Sequence, residues 1–263
     1  MIDIGANLAD PSFDGDRDRV LERALAAGVR QLLVTGSSVA RSAHALEVAR
    51  GRPGVLFATG GIHPHEASTC DDPAIDALRR LCAAPEVVAV GECGLDFYRD
   101  LSPRSVQELC LRRQLELAAE LRLPVFLHDR DASAAMLPIV SSWRPRLSGG
   151  VVHCFTGEAS ALERYLDLDL HIGITGWICD ERRGLLLREL VGRIPDDRLL
   201  IETDAPYLLP RTLRPRPRTR RNEPQWLAAV RDEVAACRGQ DPEHVAAVTT
   251  VNARRLFGLP EPA

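Results

Sequence analysis

The chain has 263 residues, 45% hydrophobic and 27% charged, with a formal net charge of −4. That length holds one barrel or two smaller domains, each with a full core, and the acidic balance excludes a general polyanion binder, so any nucleic-acid contact must come from a local patch. All 33 basic residues are arginine, which excludes Schiff-base aldolases, pyridoxal phosphate enzymes, P-loop NTPases and carbamylated-lysine metal bridges.

Met1 to Asn7 reads as a first strand, followed by a helix over Asp14–Ala27 that stops near Gly28. Arg30–Val34 is the second strand, and Ser37 or Ser38 caps a helix reaching Arg50. The third strand, Val55–Gly60, runs into GIHPH, and a helix spans Asp72–Cys82. The fourth strand, Glu86–Gly91, is apolar on both faces and ends in Glu92. A long helix over Ser105–Arg122 leads to the fifth strand, Pro124–His128, and a helix over Ala132–Trp143 in which Pro138 predicts a kink or an early end. Strands at Gly150–Cys154, Leu170–Ile174 and Arg198–Ile201 alternate with helices at Ala159–Leu166 and Leu185–Val191. Helices over Pro224–Arg238 and Pro242–Leu256 close the series.

Eight alternating units in this length match a closed (β/α)8 barrel, whose usual size is about 250 residues. An open doubly wound sheet would want a glycine-rich phosphate loop after the first strand, and GANLAD is not one. The Pro210–Pro217 stretch reads as a loop over the barrel mouth, so a single domain over residues 1–263 is expected. The seven cysteines are scattered and lack a CxxC pair, as in a reduced cytoplasmic protein. No basic-then-apolar leader and no membrane-length apolar run is present, so no membrane partner is expected, and the chain reads as a monomer.

Chemistry in such a barrel collects at the carboxyl ends of its strands. There the third strand delivers His63 and His65, the fourth Glu92, the fifth His128 with Asp129 and Arg130, the sixth His153, and the eighth Glu202 and Asp204. A lone histidine at a strand end is ordinarily structural. The neighbouring set of Glu92, His128 and His153 is a sound donor set for a divalent cation, and its imidazoles suit zinc or manganese. Glu202 either binds a further ion, orients water or caps a helix. Six arginines fall between Arg211 and Arg221, where a phosphate rim competes with codon bias on a solvated loop.

GIHPH, GECGLDF, PVFLH with DRDA, VVHCFTG, GITGWICDERRG, IETDAPYLLP and RRNEP together resemble the TatD family of metal-dependent DNases, from Met1 to about Gly258. The resemblance implies an amidohydrolase-like TIM barrel that cleaves DNA phosphodiesters, with magnesium as its cation and a role in DNA repair or degradation. It implies Glu92, His128, His153 and Asp204 as metal ligands, with Asp204 and Glu92 also the catalytic carboxylates. His63, Arg130 and Arg221 are the expected substrate contacts. Most of that family opens with Asp-x-His-x-His; here the segment is Asp3-Ile4-Gly5-Ala6-Asn7. That departure resembles the TatD-proper branch, 3′-5′ exonucleases acting on single-stranded DNA and RNA. It leaves one firm metal site and a second, weak one. A metal-dependent amidohydrolase or deaminase acting on a small molecule is the alternative.

Overall fold

The computed structural model describes residues 1–261. Eight strands run β1 (Ile2–Ala6), β2 (Gln31–Val34), β3 (Leu56–Gly60), β4 (Val87–Asp96), β5 (Val125–Arg130), β6 (Gly150–His153), β7 (His171–Ile174) and β8 (Leu199–Ile201). Between them lie α1 (Arg17–Ala26), α2 (Val39–Arg50), α3 (Asp72–Cys82), α4 (Arg104–Leu121), α5 (Ser133–Trp143), α6 (Ala159–Asp167) and α7 (Leu185–Leu190); α8 (Leu227–Arg238) and α9 (Pro242–Phe257) follow β8. Each strand pairs in parallel with the next in sequence. A bridge between Ala6 and Ala205 joins the last strand to the first. This is the expected TIM barrel.

Strands apolar on both faces are what this architecture demands, because one face fills the lumen and the other meets the helices. Leu33, Phe126, Val151 and Leu200 point into the lumen with Ile2 and Ile4, while their neighbours Leu32, Val125, Val152 and Ile201 pack outward. Phe257 of α9 and Leu259 plug the lumen's lower end. Asn252 latches that plug, its Nδ2 donating to the carbonyls of Asp196 (2.7 Å) and Leu199 (2.9 Å).

Two expectations need correction. The α5 helix does not break at Pro138 but continues to Trp143. The buried Met136, Ile139 and Val140 outweigh the lost backbone bond. Strand β4 does not end at Gly91; it continues through Glu92 to Asp96, paired with β5 as far as Arg130. Glycine makes this close pairing feasible: a Cβ on Gly91 would lie 2.2 Å from the Phe126 carbonyl oxygen, and one on Gly94 1.9 Å from that of His128. The result holds Glu92 within the sheet, beside His128.

Candidate metal centre

The carboxyl ends of β3 to β6 and β8 surround a cleft of about 540 Å³. At its floor the side chains converge on one atom, Glu92 Oε1. It lies 2.8 Å from His128 Nδ1, 2.8 Å from His153 Nε2 and 3.3 Å from His63 Nε2. The two facing nitrogens of His128 and His153 are 3.4 Å apart. Phe126 stacks under the His153 ring at 4.7 Å and closes the floor with apolar surface.

This is a strongly coupled charge cluster. Burial alone would push the Glu92 carboxyl up, but His153 and His63 nearby, with hydrogen bonds from His128 and His153, hold it well below its ordinary range. The His153 ring is disfavoured as a cation by burial, yet Glu92 and Glu202 together raise it well above the usual histidine value. His63 is lowered, chiefly by burial.

The donor set fits a divalent cation. Metal bonds to nitrogen and oxygen of about 2.1 Å place adjacent ligand atoms roughly 3 Å apart, close to the separations around Glu92 Oε1. Two buried ring nitrogens, His128 Nε2 and His153 Nδ1, have no hydrogen-bond partner. Atoms of His63, Glu92 and His128 all lie within 4.8 Å of one another, so His63 is a geometric rival for a place in the set. Its tautomer argues otherwise. His63 Nδ1 accepts the His65 backbone N–H at 3.1 Å, so the neutral ring carries its proton on Nε2. A protonated nitrogen has no lone pair for a metal, and Nε2 is left as a donor facing the cleft.

Asp204 lines the same cleft but makes no ion pair or hydrogen bond with the histidines among the described residues. Its backbone lies in the left-handed region at φ 53, which aspartate tolerates better than most residues. Its N–H donates to the Gly5 carbonyl at 2.8 Å, and Oδ1 accepts from Asn7 Nδ2 at 3.1 Å. Burial pushes its carboxyl up to about 7, against the pull of His153 and with the push of Glu92 and Glu202.

At the mouth, Arg130 stacks 4.4 Å over the Tyr98 ring and 5.8 Å from the Trp177 ring, whose other contact is Arg183 at 4.5 Å. Arg41, Arg99 and Arg130 line the cleft with no ion-pair partner among the described residues. The structure does not bring Arg221 into this cleft. Its Nη atoms bind both Asp16 oxygens at 2.8 Å, Glu223 at 3.0 Å and the Ser12 carbonyl, and its guanidinium covers Phe13. Those contacts tie the post-β8 loop to the start of α1. Sequence reasoning missed Asp96, Tyr98 and Arg99; the alternation of a paired strand through GECGLD would have signalled the buried Asp96.

A family model described as TatD related DNase matches residues 2–258. A protein from Pantoea vagans named 3′-5′ ssDNA/RNA exonuclease TatD is 52% identical over 259 residues, covering 98% of this chain and 100% of that protein. One of the same name from Erwinia billingiae is 53% identical over 260 residues, covering 99% and 100%. Among solved structures, a TatD homologue from Escherichia coli superposes with a TM-score of 0.89 at 31% identity, covering 99% of this chain and 98% of its own. An N-acetylglucosamine-6-phosphate deacetylase from Mycobacterium smegmatis, at 14% identity and a TM-score of 0.58 over 98% of this chain and 76% of its own, shares the barrel fold.

Proposed function

The chain belongs to the TatD-related DNase family, and from that membership we propose that it is a metal-dependent exonuclease removing nucleotides from the 3′ end of single-stranded DNA or RNA. The observation that carries this reading is the convergence of imidazoles on Glu92 Oε1 at the base of a cleft walled by unpaired arginines. The full-length likeness to proteins named 3′-5′ ssDNA/RNA exonucleases supports the polarity and the substrate.

Glu92, His128 and His153 would hold a divalent cation, which we take to be magnesium, with manganese able to replace it. The chemistry such a cation supplies when bound is neutralisation of the phosphate charge and acidification of water. Asp204 takes the proton from the attacking water; Asn7 fixes one of its oxygens and leaves the other for the water. His63, neutral with its proton on Nε2, hydrogen-bonds a phosphate oxygen through that N–H and keeps the proton. Gly5 and Asn7 give the first strand no imidazole, so a second ion depends on Asp204 and the substrate phosphate. The cleft admits the end of one strand. Tyr98, 62% exposed, and Trp177 offer ring faces to unpaired bases, while Arg130 between them pairs with backbone phosphate. Bases stacked inside a duplex cannot use those faces.

A time course on 5′-labelled single-stranded and duplex oligonucleotides tests the reading. With magnesium or manganese the single strand shrinks as a ladder from its 3′ end, and EDTA stops it. Cleavage unaffected by EDTA, or a fixed internal cut, would contradict it. Two arginine variants separate the mouth from the scaffold. Arg130→Ala is expected to raise KM for the oligonucleotide about tenfold, the cost of roughly one charge-assisted hydrogen bond. Arg221→Ala leaves KM unchanged and lowers the melting temperature, because its partners are Asp16, Glu223 and Ser12. Equal KM effects from the two would refute this division.

A further inference from the structure

Behind the two imidazoles stand two carboxylates that the proposed chemistry leaves unused. Asp96 is 1% exposed and Glu202 is 0% exposed. His128 presents Nδ1 to Glu92 and turns Nε2 toward Asp96 Oδ2 at 3.6 Å. His153 does the reverse, presenting Nε2 to Glu92 and turning Nδ1 toward Glu202 Oε2 at 3.4 Å. Both outer nitrogens lack any hydrogen bond, and so does Glu202 Oε2. Each orphaned nitrogen thus faces one carboxylate oxygen, slightly beyond good hydrogen-bond length.

We propose that Asp96 and Glu202 are positioning residues, each holding one histidine in a different tautomer so that His128 binds the cation through Nδ1 and His153 through Nε2. The inference rests on the metal reading above. Its logic is that a ring nitrogen coordinates only with its lone pair, which forces the proton onto the other nitrogen. That proton needs an acceptor, and a carboxylate acceptor also raises the ring's basicity as a ligand. Here each acceptor is itself immobilised. Asp96 Oδ1 accepts the backbone N–H groups of Tyr98 (3.0 Å) and Arg99 (2.8 Å), and Oδ2 accepts His65 Nε2–H at 2.7 Å. Glu202 Oε1 accepts the Cys154 N–H at 2.6 Å.

The sequence departure on β1 belongs to the same device. A Cβ on Gly5 would lie 2.1 Å from Glu202 Oε2 and 3.3 Å from Phe126 Cζ, and one on Gly173 would lie 2.7 Å from Glu202 Oε1. Two glycines therefore leave the space in which the Glu202 carboxylate sits. A side chain at position 5 would have to displace the Glu202 carboxylate from where it faces His153, so the glycine on β1 and the backing of His153 go together.

The test is calorimetric titration of the full chain with Mn²⁺ alone. Asp96→Asn and Glu202→Gln are expected to weaken binding about 10- to 100-fold, the usual cost of losing a carboxylate behind a ligating histidine. Gly5→Ala, which pushes Glu202 off His153 without touching a charge, should reproduce the Glu202→Gln loss. Asp129→Asn is the control. Its carboxylate neighbours His128 in sequence but bonds Tyr165 Oη (2.6 Å) and the Ala132 N–H, so affinity should stay within twofold. On the unaltered chain with Zn²⁺, long-range ¹H–¹⁵N spectra should show His128 protonated at Nε2 and His153 at Nδ1. That measurement stands even if a variant fails to fold. Unchanged Mn²⁺ affinity in folded variants, or the same tautomer on both rings, overturns this inference alone. Absence of any Mn²⁺ binding by the unaltered chain overturns it together with the metal reading, whereas metal binding without oligonucleotide digestion overturns only the nuclease reading.

Discussion

Glu92→Gln is expected to abolish metal-stimulated digestion of single-stranded DNA, with a loss of at least about 10³-fold, in line with removing one member of a catalytic unit. Glu92 Oε1 is the one atom that His63, His128 and His153 all approach. Glutamine keeps the size and removes the charge that holds the rings together. Three buried imidazoles then face an amide, and bringing a dication among them meets repulsion with no compensating carboxylate. Two measurements check this: Mn²⁺ titration, which should show binding weakened beyond that of any other variant here, and the oligonucleotide time course. Retention of a tenth of the wild-type rate would remove Glu92 from the centre of the mechanism.

Asp204→Asn should behave differently. We expect kcat to fall about 10²- to 10⁴-fold, the span of a lost general base, while Mn²⁺ affinity changes by only a few-fold. Asp204 is held by Asn7 and the Gly5 carbonyl and makes no hydrogen bond or ion pair with His128 or His153 among the described residues. Its carboxyl, pushed up to about 7 chiefly by burial, is suited to accept a proton from water near neutrality. Asparagine retains the shape and cannot accept that proton. Steady-state kinetics at saturating metal separate the cases. A raised KM with unchanged kcat, or a loss of metal binding as large as that of Glu92→Gln, would make Asp204 a ligand and not a base.

Much of this site was legible in the chain because barrel strands announce themselves as apolar runs and their first polar residues fall at the catalytic end. Glu92, His128 and His153 stood out on that ground alone. Local periodicity does not tell where a strand ends when the next residues include glycine, so the fourth strand was ended at Gly91 and Asp96 went unnoticed. The pairing that keeps it in the sheet comes from β5, more than thirty residues on. Glu202 was named at its strand end, but its role was left open. Its environment is made by Gly5, Cys154 and Gly173, three residues from three other strands or their ends. Arg221 shows the converse. Six arginines in one loop look like a phosphate rim, but ion pairing depends on where Asp16 and Glu223 lie in space. Of the arginines without an ion-pair partner at the cleft, Arg130 sits alone in sequence and gains its place by stacking.

The seam between β1 and β8 bears on how the enzyme comes into being. Ribosomes deliver the chain from its amino end, and domains take shape as their segments emerge. Glu92, His128 and His153 are all present long before β8 is made. Asp204, however, is clipped to Asn7 across 197 positions, and Thr203 to Asp3 across 200. The plug at the bottom of the lumen comes later still, in α9. A nascent chain therefore holds Glu92, His128 and His153 while still lacking the base and the closed wall. The complete site, base included, exists only once the last strand has been made and has met the first.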